Sequence, residues 1–537
     1  MSETTGLNIE APTNWLDDRL GIARSSRKLI NKIFPDHWSF MIGEIALYSF
    51  IILVLTGIFL TLYYVPSMAT VVYHGPYKSL DGQRVTEAYA STVNISFSVR
   101  FGILMRQMHH WAADVFIAAI CVHMVRIFFT GAFRRPREIN WMIGVTLLIL
   151  AIFNGFLGYS LPDDLVSGTG IRIAFSILES IPFVGVPLAY FLFGGNYPGT
   201  EIIPRFFIIH VLILPGIIIG LLAAHLGIMV RQKHTQYPGH GATEHNVVGS
   251  VMWPTYAFKT LGYFLLTAAV LAGMGGLFQI NPIWQFGPYL PWHVSYAVQP
   301  DWYMGWLDGA LRIMPAWETV FPGGHMIPNV FYPGVLFPGI TFGLFYSWPF
   351  IEDKFTKESR VEHHILDRPR DRPLRTAIGA GVLSFYCVLF GASSTDVFAN
   401  YFGLSLNKVL WGFRISVVVV PIIVGFVAHR ICIELQTWEG AGERHRSGVV
   451  VRSADGSYSL VESAPRPGDE EPERQAIPVP EEVLAASPLA HELVLAGASE
   501  VDGDGEDGRG ILQAPREPRP DFRERSSFVP PFFRRNR

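Results

Sequence analysis

The sequence predicts an all-α protein, a polytopic bundle of eight transmembrane helices, and three observations lead there. Half of its 537 residues are hydrophobic and only 16% are charged, too few polar groups to cover a chain of this size in water. Eight apolar stretches are each long enough to cross a hydrocarbon core of about 30 Å, which takes roughly 20 helical residues. Basic residues gather in alternate loops, as they do when successive helices cross a membrane in opposite directions. The first observation excludes an ordinary soluble multidomain chain. The net charge of −3 is uninformative, because opposite charges are segregated along the chain, and no nucleic-acid partner is expected.

The stretches lie near 40–65, 104–130, 140–161, 202–230, 255–279, 328–350, 374–393 and 409–432. The first opens after Pro35 and closes before Pro66, and the third stops at Pro162. Pro215 falls inside the fourth, where a membrane helix tolerates it at the cost of a kink. Two pieces, 171–181 and 302–314, are amphipathic or apolar but too short to span, which predicts helices lying at the surface. Residues 1–39 form a polar N-terminal segment without an apolar core, so no cleavable signal peptide is expected. Residues 40–250 make a four-helix bundle, and 251–435 a second membrane region with a long outer loop. The segment 436–537 is a polar tail, acidic near 469–473 and 500–506 and basic at 516–537. Its low hydrophobicity predicts disorder, or ordering by a partner. Cys121, Cys387 and Cys432 sit in apolar runs and read as small buried side chains. No Cys-x-x-Cys-His is present, so no c-type haem is expected on this chain.

Orientation follows from charge. One set of loops carries Arg24, Arg27, Lys28 and Lys32, then Arg134, Arg135 and Arg137, then Arg231 and Lys233, then seven Lys or Arg between Lys354 and Arg375. The other set holds only Lys78, Arg84, Arg100, Arg172, Arg312 and Lys408. The positive-inside rule places both termini in the cytoplasm of a cell that carries the protein in its plasma membrane.

Ionisable residues at bilayer depth are costly and mark function. His109 and His123 are 14 residues apart on the second span, nearly four turns, so they share a face at about 21 Å separation. His210 and His225, 15 apart on the fourth, repeat that arrangement. Two such helices can clamp two flat macrocycles, one near each side of the membrane, and imidazole is a strong axial ligand for haem iron. A lone histidine in an apolar helix is more often a hydrogen-bonded core residue; four at matched spacing are not explained that way. His110 has no partner at this spacing and reads as a non-ligand. Arg106 and Arg126 lie three residues from a proposed ligand at either end of the second span, placed for haem propionates, although snorkelling alone would also explain them. Gly43 pairs with Gly57, and Gly144 with Gly158, again at 14, which would let a porphyrin lie close against a helix.

Arg106-Gln-Met-His109 through His123-Met-Val-Arg126 resembles the second helix of the cytochrome b family of complex III and its chloroplast relative. Asn140-Trp-Met-Ile-Gly144 through Gly158-Tyr-Ser-Leu-Pro162 is similar to its third helix, and Pro204-Arg205-Phe-Phe-Ile-Ile-His210 to the start of its fourth. Pro300-Asp301-Trp302-Tyr303 resembles the family's Pro-Glu-Trp-Tyr quinol motif, continued by Leu311-Arg312-Ile-Met-Pro315. The resemblance covers about 35–435. It implies two b haems: a low-potential haem on His109 and His210 near the outer face, and a high-potential haem on His123 and His225 near the cytoplasm. Quinol is then oxidised at the outer site, with one electron going to a Rieske iron–sulfur protein and the other through the haems to an inner quinone site, building proton-motive force. Asp301 is expected to act as general base, with Tyr303 beside it and Asp308 lining the pocket or relaying the proton.

The chain also departs from the family. Asp301 stands for the usual Glu, and Pro162-Asp163-Asp164-Leu165 replaces the mitochondrial Pro-Trp-Gly-Gln. Val230 and Thr260 occupy the positions of the mitochondrial inner-site His and Asp, leaving Lys259, Arg231 and His234 as candidate replacements. The 15-residue spacing and polar tail resemble Gram-positive and actinobacterial branches. By that analogy the substrate is menaquinol, the partner a c-type, dihaem cytochrome, the complex a dimer, and a supercomplex with cytochrome oxidase is implied. Two other classes compete. A proton-coupled transporter would bind no haem and leaves the paired spacings unexplained. A haem-bearing anchor for a dehydrogenase would need neither eight spans nor the Asp301 motif.

Overall fold

A computed structural model of the chain describes residues 17, 19, 30–239, 241–293, 298–322, 324, 326–356, 362–446, 448–452 and 458–462. The basic residues Arg24, Arg27 and Lys28, and the expected disorder of 463–537, lie outside the described residues. Among the described residues, eight helices are long and apolar enough to cross a membrane: α1 Trp38–Thr61, α2 Gly102–Thr130, α3 Glu138–Ser160, α4 Ile202–Gln232, α5 Met252–Leu277, α6 Tyr332–Thr356, α7 Pro373–Ala392 and α8 Leu406–Trp438. Every expected stretch is there.

Local chemistry sets their ends. α2 stops where Gly131 turns left-handed (φ 64°), a conformation open to glycine without a side-chain penalty. α4 absorbs Pro215 by a device the sequence did not announce: the helix widens into a π-turn at Ile209–Ile213 and re-forms at Leu214, so the missing N–H falls at the start of a new helical segment.

The loops sort onto two sides. On the basic side, Ile33–Phe34 pairs antiparallel with Ser250–Val251, and Arg137 donates to the carbonyls of His363 (2.8 Å) and Lys233 (3.2 Å). Arg375 joins α6 to the loop before α7 through Glu352 (2.9 Å) and Asp367 (2.8 Å). On the opposite side, Thr86 donates to Asp163 (2.8 Å), Tyr89 to the carbonyl of Ile283 (3.1 Å), and Asp164 bridges Pro288. Loops separated by an even number of crossings thus meet, as alternating spans require.

The surface piece expected at 171–181 begins earlier, at Leu165, because buried Asp164 caps its first turn, and a second short helix, Gly185–Phe193, follows. The piece at 302–314 is a 3-10 turn, Trp302–Met304, running into a helix, Gly305–Ile313. A helix at Glu87–Phe97 was not expected. The core of the first four spans interdigitates Phe50, Phe116, Ile117, Leu147, Leu148, Ala151 and Ile218, while Leu55, Ile58, Leu265, Ile422 and Phe426 face outward. Such a surface is covered by lipid, and close packing rather than water exclusion joins the helices. α5 approaches α2 so nearly that a Cβ on Gly275 would lie 2.9 Å from the Met108 nitrogen.

Residues 441–537 form a separate unit. Its described part pairs Gly448–Arg452 antiparallel with Tyr458–Glu462. Those strands, rich in Val, Leu and Tyr, are the one described piece of regular structure in the predicted polar tail beyond α8's helix.

Candidate functional site

The four spaced histidines come together in two pairs. His109 and His210 face each other with ring centroids 6.2 Å apart. Two imidazoles binding one metal from opposite sides, at about 2.0 Å per bond and about 1.1 Å from nitrogen to ring centre, place their centres about 6.2 Å apart. Both rings are held from behind. His109 Nδ1 lies 2.9 Å from Thr56 Oγ1, and His210 Nδ1 lies 3.0 Å from the Asn154 carbonyl and 3.1 Å from its side chain. Fixing Nδ1 leaves the Nε2 lone pair free to ligate, the arrangement that orients metal-bound histidines. His123 and His225 form the second pair toward the basic side, close enough to interact electrostatically. His123 Nδ1 is buried without a hydrogen-bond partner, while His225 faces the Asn140 backbone.

Each of the four glycines stands against one of these rings. An added Cβ would lie 3.2 Å from His123 at Gly43, 3.2 Å from His109 at Gly57, 3.7 Å from His225 at Gly144 and 2.4 Å from His210 at Gly158. The glycine spacing therefore matches the histidine spacing, each glycine lying against one imidazole. At the two ends of α2, Arg106 is buried with Nε unpartnered and its other end on the Asn281 carbonyl (3.0 Å). Arg126 lies over Phe40 (4.2 Å) with Nε and one terminal nitrogen buried and unpartnered. Two guanidinium groups with unpartnered nitrogens, about 30 Å apart along one helix, suit a pair of acidic cofactor edges.

Beside the first pair is a polar cluster. Asp301 meets His110 Nε2 at 3.1–3.2 Å and accepts a hydrogen bond from the Tyr303 hydroxyl at 3.1 Å. Asp114 completes the group: its ligand atom, that of His110 and that of Asp301 lie within 4.8 Å of one another, and its Oδ1 is buried and unpartnered. Asp301 precedes the 3-10 turn, but its side chain makes no capping bond there. Burial raises the Tyr303 phenol well above its ordinary pKa. A Cβ at Gly155 would strike the Tyr303 hydroxyl at 2.8 Å, so glycine on α3 admits that ring. Asp308 is elsewhere: it accepts from Arg312 Nε (2.8 Å), which also pairs with Asp396 (3.0 Å). Burial, partly offset by Arg312, pushes Asp308 up to about 6.

The candidates on the basic side do not converge. Lys259 pairs with Asp36 (3.2 Å) at the surface, and Arg231 is exposed. His234 is buried against Phe34 with ring centroids 4.4 Å apart, and burial pushes it down to about 4. Asp114 and Glu44 escaped the sequence reading, which took His110 only as a non-ligand. Asp114 and Glu44 carried the available signal, a charged residue inside an apolar span.

Residues 114–288 match the family model described as "Cytochrome b(N-terminal)/b6/petB". The chain is 49% identical over 454 residues to the "Cytochrome bc1 complex cytochrome b subunit" of Streptomyces coelicolor, covering 84% of this chain and 83% of that one. It is 47% identical to the protein of the same description in Mycobacterium tuberculosis, covering 91% and 88%. The chain belongs to the cytochrome b subunits of the cytochrome bc1 complex. A solved chain described as "Hyperthermophilic respiratory Complex III" superposes with a TM-score of 0.56 at 22% identity, covering 78% of this cytochrome b and 99% of that chain, a likeness of fold. In this cytochrome b, the four histidines and four glycines lie on the first four spans, and the Asp301 cluster joins that bundle to the loop before α6.

Proposed function

We propose that this cytochrome b is the membrane subunit of a respiratory quinol:cytochrome c oxidoreductase that oxidises menaquinol at the Asp301 cluster and reduces a quinone near the basic side. The matched set of four histidines and four glycines carries the reading, since a transporter has no use for rings spaced to hold a metal between them. Two b haems fit the residues: one on His109 and His210 with Arg106 at its edge, the other on His123 and His225 with Arg126. Bound there, they supply reversible one-electron transfer across the membrane.

The chain does the rest. His110 follows His109 directly, so its contact with Asp301 ties the quinol cluster to the first haem position. Asp301 accepts a proton from a quinol hydroxyl as general base. Tyr303 donates to Oδ2 and His110 holds the opposite edge, fixing the carboxylate's direction. The cluster sits on the outer side and the termini in the cytoplasm, following the loop charges. The other electron of each quinol leaves to a Rieske iron–sulfur protein, and a dihaem c-type cytochrome receives it, within a dimeric complex of the plasma membrane that docks a cytochrome oxidase. The test is the purified complex. Two b haems reduced by menaquinol, with turnover lost when the iron–sulfur subunit is removed, support the reading. A preparation without haem, or haems reduced only by a soluble dehydrogenase, overturns it.

A further inference from the structure

The four hydroxyl and carboxyl groups where α1 meets α5 on the basic side form a cluster of their own. Glu44 on α1 accepts from Tyr48 (2.9 Å) and from Thr260 on α5 (2.9 Å). Tyr256, one turn earlier on α5, donates to its other oxygen, and Tyr48 and Thr260 are hydrogen-bonded to each other. Tyr263 faces the same carboxylate from α5. Among the described residues no cation is paired with Glu44. The nearest ion pair, Asp36 with Lys259 (3.2 Å), lies at the exposed end of the same helices.

The cluster lies beside the second histidine pair. Gly43, the preceding residue, lies against the His123 ring. Tyr48 and Tyr256 are buried, Glu44 is half-buried, and Phe258 and Leu261, which flank Thr260 in sequence, are exposed on the lipid-facing surface of α5. A carboxyl group inside a span, ringed by hydroxyls and without a counter-ion, is costly for a helix staple that two apolar side chains could make. It is well arranged to hold a proton beside a lipid-soluble substrate.

We infer that Glu44, hydrogen-bonded by Tyr48, Tyr256 and Thr260, is the proton donor to a quinone carbonyl at the basic-side reduction site. The inference rests on the functional reading above. The quinone takes two electrons, one at a time, from the cofactor held by His123 and His225, and two protons. In each proton transfer the carboxyl O–H of Glu44 breaks and an O–H forms on a quinone oxygen. Water at the Asp36–Lys259 end then returns a proton to the carboxylate, and the cycle repeats for the second oxygen.

The experiment uses the purified complex, with the outer site blocked in every arm by Asp301→Asn. Haems reduced with dithionite are mixed rapidly with a short-chain menaquinone, and reoxidation is followed across pH. Glu44→Gln is expected to keep both haems and to slow reoxidation by about 10²–10⁴-fold, the usual cost of losing a general acid. Adding Thr260→Asp, which puts a carboxyl back on the facing helix, is expected to restore most of that loss, a rescue that a staple would not show. Tyr256→Phe leaves α1 intact and serves where Glu44→Gln fails to assemble. It removes one of the hydrogen bonds that hold the Glu44 carboxyl, and is expected to slow reoxidation with both haems kept. An unchanged rate in haem-loaded Glu44→Gln, no rescue by Thr260→Asp, or an unchanged rate in haem-loaded Tyr256→Phe overturns the assignment of Glu44 alone. Absence of haem from the wild-type complex overturns the functional reading beneath it.

Discussion

Replacing Gly158 by Ala is expected to expel one haem, and the structure grades the effect. The new Cβ lies 2.4 Å from His210 Cε1 and 2.9 Å from Nε2. Ordinary contacts begin near 3.4 Å, so the ring must retreat by about 1 Å. It cannot tilt away freely, because Nδ1 is held by the Asn154 carbonyl and side chain at 3.0 and 3.1 Å. A displacement of about 1 Å is half the length of a metal–imidazole bond of about 2.0 Å. At Gly57 and Gly43 the Cβ contact is 3.2 Å, which calls for a shift of only a few tenths, and at Gly144 it is 3.7 Å, an ordinary contact. The expected order of haem loss is Gly158→Ala first, Gly57→Ala and Gly43→Ala well behind, and Gly144→Ala with none. Haem per complex and the reduced-minus-oxidised spectrum of each variant read the series. Two haems with unaltered spectra in Gly158→Ala, together with loss in Gly144→Ala, would refute the view that glycine spacing serves the imidazoles.

Asp301→Asn keeps the shape of the quinol cluster but cannot accept a proton, so turnover is expected to fall by about 10²–10⁴-fold with both haems retained, read by steady-state quinol:cytochrome c activity. Asp308→Asn, by contrast, removes a partner of Arg312 that Asp396 also holds, and the same assay should change by less than about threefold. Breaking the buried Arg375–Glu352 pair by Glu352→Gln leaves a guanidinium half-satisfied through Asp367, and is expected to destabilise the α6–α7 corner by about 3 kcal/mol, seen as earlier thermal inactivation of the complex. His234, held at about 4 by burial, binds fewer protons folded than unfolded. Its contribution is full above the unfolded value near 6.5 and is lost as pH falls toward 4. Hydrogen exchange at 233–237 should rise across that window in the wild type and stay flat in His234→Phe.

Much of this was legible in the sequence, because a membrane simplifies the grammar. Span length, loop charge and the 14- and 15-residue spacings are one-dimensional signals, and each reappears in the helices and ring pairs. What was not legible depends on partners from other spans. His110 had no mate at the ligand spacing, and its role shows only when the loop before α6 brings Asp301 to it. Asp308 shares a helical segment with Asp301, but Arg312 and Asp396 draw it away. On the basic side the sequence offered Lys259, Arg231 and His234, all near the mitochondrial positions, and the fold leaves the three apart. The carboxylate that faces Thr260 arrives from α1, more than 200 residues away in sequence. Pro215 predicted a kink; the π-turn just before it, at Ile209–Ile213, carries His210.

The central claim is that two separate histidine pairs hold two separate haems, and ligand deletion in the purified complex tests it most directly. His210→Ala should remove the haem beside the Asp301 cluster and His225→Ala the haem on the basic side, each leaving one b haem with a distinct reduced α band and potential. Two unchanged six-coordinate haems in either variant, or the same haem lost in both, would contradict it.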